Sequence, residues 1–428
     1  MSLLGRFIDQ LLPVGSITLV QPDGRRETHG GGGGKHITVK LHDKRAAFDL
    51  FRNPRLRLGE LYMDGRLTIE DGTILDLLEL ITGAQVWEHG RTKGMGKGKA
   101  GKLISLFRRN DVRKSRQNVA HHYDIGNELY ALFLDDDLQY SCAYFTDPKN
   151  SLEQAQADKK AHIAAKLDLK PGQRVLDIGC GWGGMALYLH KVAGVDVLGI
   201  TLSEEQLKVA RRRAKEAGVS DHVKFELIDY RQLDGRFDRI VSVGMFEHVG
   251  AAHYDEFYAK CRELLTDGGV MLLHTIGRLG SAGTPDPFTD KWVFPGYHLP
   301  SLSQMCASSE KVKMIVSDVE TLRLHYAYTL RHWLERATKA RAKIVRMYDE
   351  RFFRMWEFYL AGGIVMFETG AACNYQVQYV RDRHATPITR DYMLETERKY
   401  REIGKRPAPA AKKPRSAGRK KALEATDA

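Results

Sequence analysis

A glycine-rich loop in the middle of the chain has the residue types and spacing of a nucleotide-binding turn. Residues 179–184, GCGWGG, match the pattern GxGxxG, follow an apolar run and precede apolar residues at helical spacing. Glycines let a backbone approach a ligand closely, and the start of the following helix offers unpaired backbone amides. The pattern therefore predicts a nucleotide or nucleoside ligand but does not separate NAD from S-adenosylmethionine, and a tight turn without a ligand is the structural alternative.

Two neighbouring positions favour S-adenosylmethionine over a dinucleotide. Asp177 stands just before the first glycine, where methyltransferases commonly place an acid near the cationic methionine part of the cofactor. The next predicted strand ends in residues 199–203, GITLS, which lack the acid that usually holds an NAD ribose. We therefore expect S-adenosylmethionine, with its ribose bound by other groups.

The loop lies in a segment that alternates predicted strands and helices. Apolar runs predict strands at 174–178, 195–200, 223–228, 240–243 and 270–275. Helices are predicted after Trp182, from a Ser203–Gln206 capping box to Ala217, and from Tyr254 to Leu265. This alternation indicates a parallel sheet with helices on both faces, so the fold class is α/β and Rossmann-like.

Residues 1–90 predict a small mixed α/β domain. Runs of β-forming residues at 17–20 and 36–41 flank a glycine stretch at 30–34, which lacks both ends of a P-loop pattern and is expected to be a flexible turn. Apolar residues near the N-terminus recur at helical spacing, which predicts a helix docked on its own domain or on a dimer partner; a membrane-surface helix is the alternative.

Positive charge is concentrated in two segments outside the predicted domains. The net charge is +12; residues 91–116 contain ten Lys or Arg and one acid, and residues 401–428 contain nine and three. We expect 91–116 to be a basic linker and 403–428 a basic, Pro/Ala-rich disordered tail. Such charge favours an anionic partner. Phe107 is the only aromatic residue in the two segments, which disfavours nucleic acid and favours lipid headgroups.

Composition limits the other possibilities. Five widely spaced cysteines with no CxxC pair argue against a disulfide framework or a zinc site and fit a reducing cytoplasm. No metal is expected, because the sequence around Glu247 and His248 lacks the spacing HExxH. No apolar run is long enough to cross a bilayer.

Six motifs, in order along the chain, resemble those of cyclopropane-fatty-acyl-phospholipid synthases and mycolic acid cyclopropane synthases. They are NVAHHYDIGNELYALFLDDDLQYSCAYF (118–145), DIGCGWGG (177–184), GITLSEEQ (199–206), VSVGMFEHVG (241–250), HTIG (274–277) and HYAYTLRHW (325–333). The resemblance implies a class I methyltransferase domain at 117–402 with helical insertions that cover the substrate. It also implies methylene transfer from S-adenosylmethionine to the cis double bond of unsaturated phospholipid acyl chains.

The resemblance implies a base for closing the ring. Methyl transfer to an alkene leaves a carbocation, which must lose a proton, and in the resembling family a bound bicarbonate is understood to take it. Carried over by motif, its ligands here are Cys142, Glu247, His274, Tyr326 and the backbone of Ile276. Glu247 would accept the bicarbonate hydroxyl, and the other polar groups would donate to its oxygens. Taken singly, each of these residues could equally be a buried core residue.

The matched motifs also suggest which residues bind the cofactor. Asp229 is expected on the adenine side. The full set is Tyr140, Ser141, Asp177, Gly179, Cys180, Gly181, Gly183, Thr201, Leu202, Gln206, Asp229 and Tyr230.

Two further sets of residues carry weaker expectations. Cys373 belongs to a family motif and is included among the catalytic candidates, although methyl transfer to an alkene needs no covalent enzyme intermediate and packing is the favoured interpretation. Aromatic side chains could line the pocket and tolerate a cation, or simply pack in the core. These are Tyr123, Tyr144, Phe145, Phe246, Tyr326 and Trp333.

Several functional alternatives remain open. A sister enzyme could leave a methyl branch or a methylene group on the acyl chain, whereas an amine N-methyltransferase would not need the bicarbonate set. The expected partners are an unsaturated phospholipid in a membrane and a second copy of the chain in a homodimer. The expected location is the cytoplasm, with transient peripheral contact at the inner face of the membrane. The N-terminal domain is expected to assist dimerisation and docking.

Overall fold

Two β-sheets organise the chain, a four-stranded sheet near the N-terminus and a seven-stranded sheet that follows it. The structure, a computed structural model, describes residues 3–83, 86–89 and 126–405. The predicted linker at 91–116 and the first part of the first motif, with Tyr123, lie outside the described residues, as does the predicted tail from residue 406 onward. The tail was predicted to begin at residue 403, and this was wrong for residues 403–405, which form the end of the last helix, Asp391–Lys405.

The N-terminal sheet has the strand order β2-β1-β3-β4, in which only β1 and β3 are parallel. Its strands are β1 (Gly15–Val20), β2 (Arg26–Gly32), β3 (His36–Leu41) and β4 (Leu67–Asp71). The prediction of a flexible turn at 30–34 was only partly right, because residues 30–32 form the end of β2 and Gly32 pairs with Gly15. The helices around this sheet are α1 (Leu3–Leu11), α2 (Ala46–Arg52), α3 (Pro54–Met63) and α4 (Ile74–Gly83).

The seven-stranded sheet has the order β10-β11-β9-β8-β5-β6-β7. Its strands are β5 (Arg174–Ile178), β6 (Asp196–Thr201), β7 (Val223–Leu227), β8 (Phe237–Val243), β9 (Leu265–Arg278), β10 (Ile315–Leu322) and β11 (Ala372–Val380). Strands β5 to β9 are parallel, whereas β11 runs antiparallel to both β9 and β10. The α/β Rossmann-like class is confirmed, and the expectation of an all-parallel sheet was wrong for β11.

Helices cover both faces of this sheet and extend beyond its ends. They are α5 (Asn127–Phe133), α6 (Leu152–Lys166), α7 (Gly184–Ala193), α8 (Glu204–Glu216), α9 (Tyr254–Leu264), α10 (Pro287–Trp292), α11 (Leu302–Lys311), α12 (His325–Lys339), α13 (Arg341–Met347), α14 (Glu350–Glu368) and α15 (Asp391–Lys405). Asp286 caps α10 by accepting hydrogen bonds from the backbone N–H groups of Phe288 and Thr289. Short polar side chains favour such helix starts because they satisfy unpaired amides.

The N-terminal sheet domain packs on α10 and α14 through a shared apolar core with polar contacts at its edge. One cluster of buried side chains includes Leu19 of β1, Leu77 of α4 and Trp356 of α14. The Tyr62 hydroxyl donates to Glu357 at 2.5 Å, and Glu60 accepts hydrogen bonds from two side chains of α10. The N-terminal elements therefore form one wall of the space between the N-terminal sheet and the larger sheet.

Candidate active site

Two cavities lie beside the carboxyl ends of the parallel strands. The smaller, of about 160 Å³, is lined by the glycine loop and by residues after β6, β7 and β8; we call it the loop cavity. The larger, of about 530 Å³, reaches from residues after β8 and β9 into the N-terminal domain; we call it the large cavity. Ligand sites in open α/β sheets lie at this edge.

The glycine loop has the shape that its sequence predicts. Gly179 has a φ of 83°, and a Cβ there would lie 2.9 Å from the Cβ of Met245. Gly183 also has a φ of 83° and caps the start of α7. A side chain at either position would be strained. Gly179 keeps the backbone close to the loop cavity, whereas Gly183 lets the start of α7 pack closely on Phe225 and Ala210.

Asp177 is a buried acid with an unsatisfied oxygen. It is 1% exposed, it lines the loop cavity, and its Oδ2 has no hydrogen-bond partner. Burial raises the pKa of Asp177 from its ordinary value to about 7. A buried carboxylate without a partner is costly, so this position suits a cationic ligand.

Other residues of the loop cavity hold one another in place. The Thr201 hydroxyl donates to Gln206 Oε1 at 3.0 Å. The predicted capping box is therefore only half formed. Ser203 Oγ accepts a hydrogen bond from the backbone N–H of Gln206, but the Gln206 side chain contacts Thr201 and not the Ser203 backbone. The carboxylate of Asp229 accepts three hydrogen bonds from Arg231. Eleven of the twelve predicted cofactor residues line this cavity, and Gly183 does not.

The catalytic candidates form a polar cluster at the inner end of the large cavity, whose remaining lining is mainly apolar. Five of the six predicted residues line it, namely Cys142, Glu247, His274, Ile276 and Tyr326. Cys373 does not line the cavity. It lies on β11, between β9 and β10 in the sheet, and is fully buried in the core; burial raises the pKa of its thiol to about 11. The structure therefore does not bring Cys373 to the site.

Glu247 lies in a short 3₁₀ turn directly after β8. Its Oε1 accepts a hydrogen bond from the Ile276 backbone N–H at 2.6 Å, and its buried Oε2 has no partner. Burial raises the pKa of Glu247 to about 7. The Ile276 amide, expected to face bicarbonate, is thus engaged with Glu247, and Glu247 Oε2 is the atom available to a ligand.

His274 of β9 is held from β11 on both ring nitrogens. Its Nε2 lies 2.8 Å from the Asn374 amide and its Nδ1 lies 3.1 Å from Gln376 Nε2. Gln376 Oε1 accepts from Lys166 Nζ at 2.7 Å, so the nitrogen of the Gln376 amide faces His274. Burial lowers the pKa of His274 well below its usual value, so the ring is neutral.

These contacts assign the His274 tautomer. Gln376 donates to Nδ1, so the ring proton of His274 is on Nε2. The side-chain amide of Asn374 accepts this proton when its Oδ1, which has no other partner, is turned toward the ring. His274 is therefore a donor on its Nε2 side. Neither Asn374 nor Gln376 was predicted, and both are in a strand that the sequence did not reveal.

Cys142 and Tyr326 complete the cluster. The Cys142 thiol is 1% exposed and donates to the Ala143 carbonyl at 3.3 Å. Burial raises the pKa of Cys142 far above its usual range, so it is a neutral thiol and not a nucleophile. The Tyr326 ring packs edge-on against Trp333, with ring centroids 5.8 Å apart.

The two cavities meet at four residues that line both. These are Tyr140, Ser141, Gly244 and His248. His248 was not predicted as a site residue, although it follows Glu247 in the same motif; burial lowers its pKa to about 4. A group bound in one cavity can therefore meet a group bound in the other.

Helix α6 supports the segment at this junction. Gln156 Nε2 donates to the backbone carbonyls of Gln139 and Ser141, at 3.1 and 3.0 Å. Lys159 Nζ donates to Gln139 Oε1 and Ser141 Oγ, at 2.7 and 2.9 Å. Both side chains are completely buried, and burial lowers the pKa of Lys159 to about 8. Neither residue was predicted, because helix α6 is buried on nearly all sides and its polar residues give no local signal of their partners.

The predicted aromatic wall is only partly present. Tyr326 lines the large cavity, while Tyr144, Phe145, Phe246 and Trp333 do not. The latter residues pack elsewhere, for example Phe246 on Tyr254 with centroids 4.3 Å apart. The aromatic lining instead comes largely from helices α10 and α14 and from the segment that joins α10 to α11. These residues are Phe288, Phe294, Tyr297, Phe358, Tyr359 and Phe367.

Comparisons with known families match both parts of the chain. A family model described as mycolic acid cyclopropane synthetase matches residues 110–377, and one described as a domain of unknown function, DUF7884, matches residues 14–86. The first match covers more than half of the chain and contains every predicted site residue.

Curated relatives agree with this match. A "probable fatty acid methyltransferase" of Pseudomonas putida is 43% identical over 67% of this chain and 75% of its own length. The cyclopropane-fatty-acyl-phospholipid synthase of Escherichia coli K12 is 46% identical over 56% of this chain and 61% of its own length. The aligned part thus spans less than two thirds of the second relative.

Solved structures show the same fold. The mycolic acid cyclopropane synthase CmaA1 complexed with SAH and CTAB is 33% identical with a TM-score of 0.59, covering 62% of this chain and 97% of that chain. Coclaurine N-methyltransferase, bound to N-methylheliamine and SAH, is 21% identical with a TM-score of 0.60, covering 75% and 97%. The second likeness concerns the fold alone. Within the described part of the chain, no helix has the length and apolar character needed to span a membrane.

Proposed function

Since the chain belongs to the mycolic acid cyclopropane synthetase family and is an S-adenosylmethionine-dependent methyltransferase, we propose that it forms cyclopropane rings on unsaturated phospholipid acyl chains. The reaction transfers a methylene group from the cofactor to a cis double bond. The observation that carries this proposal is the junction of a small glycine-lined cavity with a large apolar cavity at Tyr140 and Ser141.

The residues of the loop cavity fit S-adenosylmethionine. The unpartnered Oδ2 of Asp177 would face the positively charged methionine part, and the Thr201–Gln206 pair lines the same cavity. When bound, the cofactor supplies an electrophilic methyl group. The residues around it orient that group toward the junction and exclude water from it.

The large cavity fits an acyl chain. Its lining is mainly aliphatic and aromatic, with Glu247 and His274 on one side and a second polar group that includes Arg55 and Asp286 where the cavity approaches the surface. An apolar chain would bury well against this lining. A double bond held at the junction would face the methyl donor in a dry, oriented position, which a weakly nucleophilic alkene requires.

The polar cluster also fits bicarbonate. Glu247 Oε2 is a buried acceptor without a partner, which suits a hydroxyl donor, and His274 and Tyr326 line the same end of the cavity. Bicarbonate, when bound, would supply the base for the proton that leaves as the ring closes. Glu247 would orient it. His274 was expected to donate to bicarbonate, but both of its ring nitrogens are engaged by β11, so it would only add a neutral neighbour that places no positive charge beside the developing cation.

The organisation of the whole protein is part of the proposal. We assign residues 1–90 to a docking and dimerisation domain, 91–116 to a linker, 117–405 to the catalytic domain and 406–428 to a basic tail. The protein would act as a homodimer in the cytoplasm and contact the inner face of the membrane transiently. Chemical cross-linking and sedimentation of the full chain test the dimer, for which a monomer at working concentration is the contrary result.

The experiment that tests the activity is mass spectrometry of acyl methyl esters after incubation with S-adenosylmethionine and unsaturated phospholipid vesicles. We expect a gain of one CH₂ as a ring that resists mild hydrogenation, lost in Glu247→Gln and retained in Glu263→Gln, a substitution at a mostly exposed site. Turnover should fall in bicarbonate-depleted buffer and return on adding bicarbonate. No modified lipid in any condition would refute the proposal.

A methyl-branched product is the second candidate. It is favoured by the names of two relatives, the Pseudomonas putida protein and the "tuberculostearic acid methyltransferase UfaA1" of Mycobacterium tuberculosis, which is 35% identical. The same measurement separates the products, because mild hydrogenation reduces a methylene branch to a methyl branch but leaves a ring intact, and a methyl branch has a different fragmentation pattern from a ring.

A further inference from the structure

Helix α2 presents two large apolar side chains to solvent. Phe48 and Phe51 are 64% and 49% exposed. They are three residues apart and so lie on one face of the helix, while Ala46 and Leu50 are buried on the other. Two exposed phenylalanines on one short helix form an apolar ridge of the kind that marks an interaction surface.

Cations surround this ridge, and nearby acids do not neutralise them. Lys44, Arg45 and Arg52 are exposed and make no ion pair with the residues that the structure describes. The neighbouring acids Asp43 and Asp49 are both bound by Arg66. The α2 face, which we define as Lys44, Arg45, Phe48, Phe51 and Arg52, is therefore both apolar and cationic.

Helix α2 and the start of α3 form part of the wall of the large cavity. Leu50 of α2 and Arg55 of α3 line that cavity. Arg55 Nη2 lies 3.8 Å from Asp286 Oδ1 at the start of α10, and these side chains are 49% and 35% exposed. The cavity thus reaches the surface between α3 and α10, a short distance along the chain from the two phenylalanines.

We propose that the α2 face docks on an anionic phospholipid bilayer and sets the opening of the large cavity against the lipid surface. This rests on the proposed function for the identity of the substrate. Aromatic side chains suit the boundary between headgroups and acyl chains, and the three cations would be attracted to anionic headgroups. An acyl chain could then enter beside the Arg55–Asp286 ion pair without crossing bulk water.

The test is binding of the full chain to vesicles of phosphatidylcholine with and without phosphatidylglycerol. We expect Phe48→Ser/Phe51→Ser to lower the partition coefficient by about tenfold or more at both low and high salt. Lys44→Gln/Arg45→Gln/Arg52→Gln should weaken binding only to phosphatidylglycerol vesicles, and only at low salt, since roughly 1 M salt screens charges beyond about 3 Å.

The matched control is Ile388→Ser/Leu394→Ser, which removes two exposed apolar side chains far along the chain, in and beside α15, and should leave vesicle binding unchanged. Thermal unfolding of each variant checks that it folds. Vesicle binding by Phe48→Ser/Phe51→Ser equal to that of the unsubstituted chain would overturn the proposal, as would a change in its oligomeric state with binding unchanged.

Turnover separates docking from chemistry. On vesicles the phenylalanine variant should lose product formation in proportion to binding, and on a monodisperse short-chain phospholipid it should match the unsubstituted chain, because neither phenylalanine lines a cavity. If no substrate gives a lipid product but the variant still binds vesicles weakly, the proposed function fails while the docking surface stands.

Discussion

Two buried carboxyl groups, Asp177 and Glu247, lie on either side of the junction between the cavities. Burial raises the pKa of each to about 7, and each has one oxygen without a partner. Such groups destabilise the folded protein once ionised, so their presence at a ligand site indicates that a ligand compensates them. For Asp177 that ligand would be cationic.

Asp177→Asn should therefore have opposite effects on stability and on cofactor binding. The pKa of Asp177 is higher in the folded state than in the unfolded state. Between about pH 4 and pH 7 the carboxyl group is therefore protonated in the folded state and ionised in the unfolded state, so the free energy of unfolding falls as pH rises through that range. Without cofactor, Asp177→Asn should be more stable than the unsubstituted protein at pH 8, by up to about 4 kcal/mol, and similar at pH 4. Urea unfolding at both values measures this.

The same variant should bind S-adenosylmethionine at least about tenfold more weakly in calorimetry, because a charged partner has been lost. Asp234→Asn, at an exposed position, is the control and should change neither property. A variant that binds the cofactor normally would show that Asp177 faces no cationic group.

The His274 tautomer gives a second prediction. Gln376→Glu replaces the amide that donates to Nδ1 by an acceptor, so the ring proton should move to Nδ1 and its donor on the Asn374 side should be lost. We expect kcat to fall about 10- to 100-fold with little change in KM. Nitrogen NMR of labelled histidine reports the tautomer directly.

Gln378→Glu is the control for Gln376→Glu. It places the same buried carboxyl two residues along β11, where the amide donates to Tyr392 and to the Lys166 carbonyl. It should cost similar stability and leave the His274 signal in place. An unchanged His274 signal in Gln376→Glu would contradict the assignment.

Single residues were predictable where a short motif carries them. Glu247 follows a recognisable apolar strand, His274 lies toward the carboxyl end of another, and both were placed at the correct edge of the sheet. Lys159, Lys166, Asn374 and Gln376 were not foreseen, because a buried polar residue has no local signal; its partner comes from a distant part of the chain.

At the scale of elements, α6 holds the junction segment through buried hydrogen bonds. Gln156→Leu removes both donors to the carbonyls of Gln139 and Ser141 and leaves them buried without those partners. We expect a loss of about 2–4 kcal/mol in unfolding free energy and a raised KM for S-adenosylmethionine. Denaturant unfolding and initial-rate kinetics measure these.

Gln154→Leu on the same helix is the matched control. Gln154 is exposed and donates to Asp158 at 3.0 Å, so its loss should change unfolding free energy by less than about 1 kcal/mol. Equal effects of the two substitutions would show that α6 does not support the junction in this way.

Local pattern explains which elements the sequence predicted. Strands β5 and β6 and helix α8 agree with prediction to within about one residue, since the strands are uninterrupted apolar runs and the helix begins at a clear N-cap, Ser203. Strand β11 was missed although all nine of its residues are buried. Its Asn374, Gln376 and Gln378 break the apolar run. The contacts that make their burial tolerable come from other elements, namely β9, α6, β10 and α15.

The whole molecule joins its two sheet domains around one cavity. Apolar residues of α1, β1, β3 and α4 line the large cavity together with residues of α12 and α14. The residue pattern of the sequence predicted a small N-terminal domain and a larger α/β domain. It could not show that the two sheets share a cavity, because the packing of one domain on another leaves no periodic signal in either. If the proposed substrate is right, the N-terminal domain sets the length of acyl chain that fits.

Leu19→Phe tests this at the wall of the cavity. Leu19 of β1 lines the large cavity and is 3% exposed, so the larger ring should fill part of the space for the chain. Each methylene that no longer fits costs roughly 10- to 200-fold in selectivity. We expect kcat/KM to fall for longer unsaturated chains and to be retained for shorter ones.

Val20→Phe is the control, since neighbouring strand residues point to opposite faces and Val20, equally buried, does not line the cavity. It should cost stability through overpacking without changing chain-length preference. Competition between vesicle lipids of different chain length, read by mass spectrometry, gives the ratio directly. If Leu19→Phe lowered turnover of every chain length equally, the N-terminal domain would support the catalytic domain without measuring the substrate.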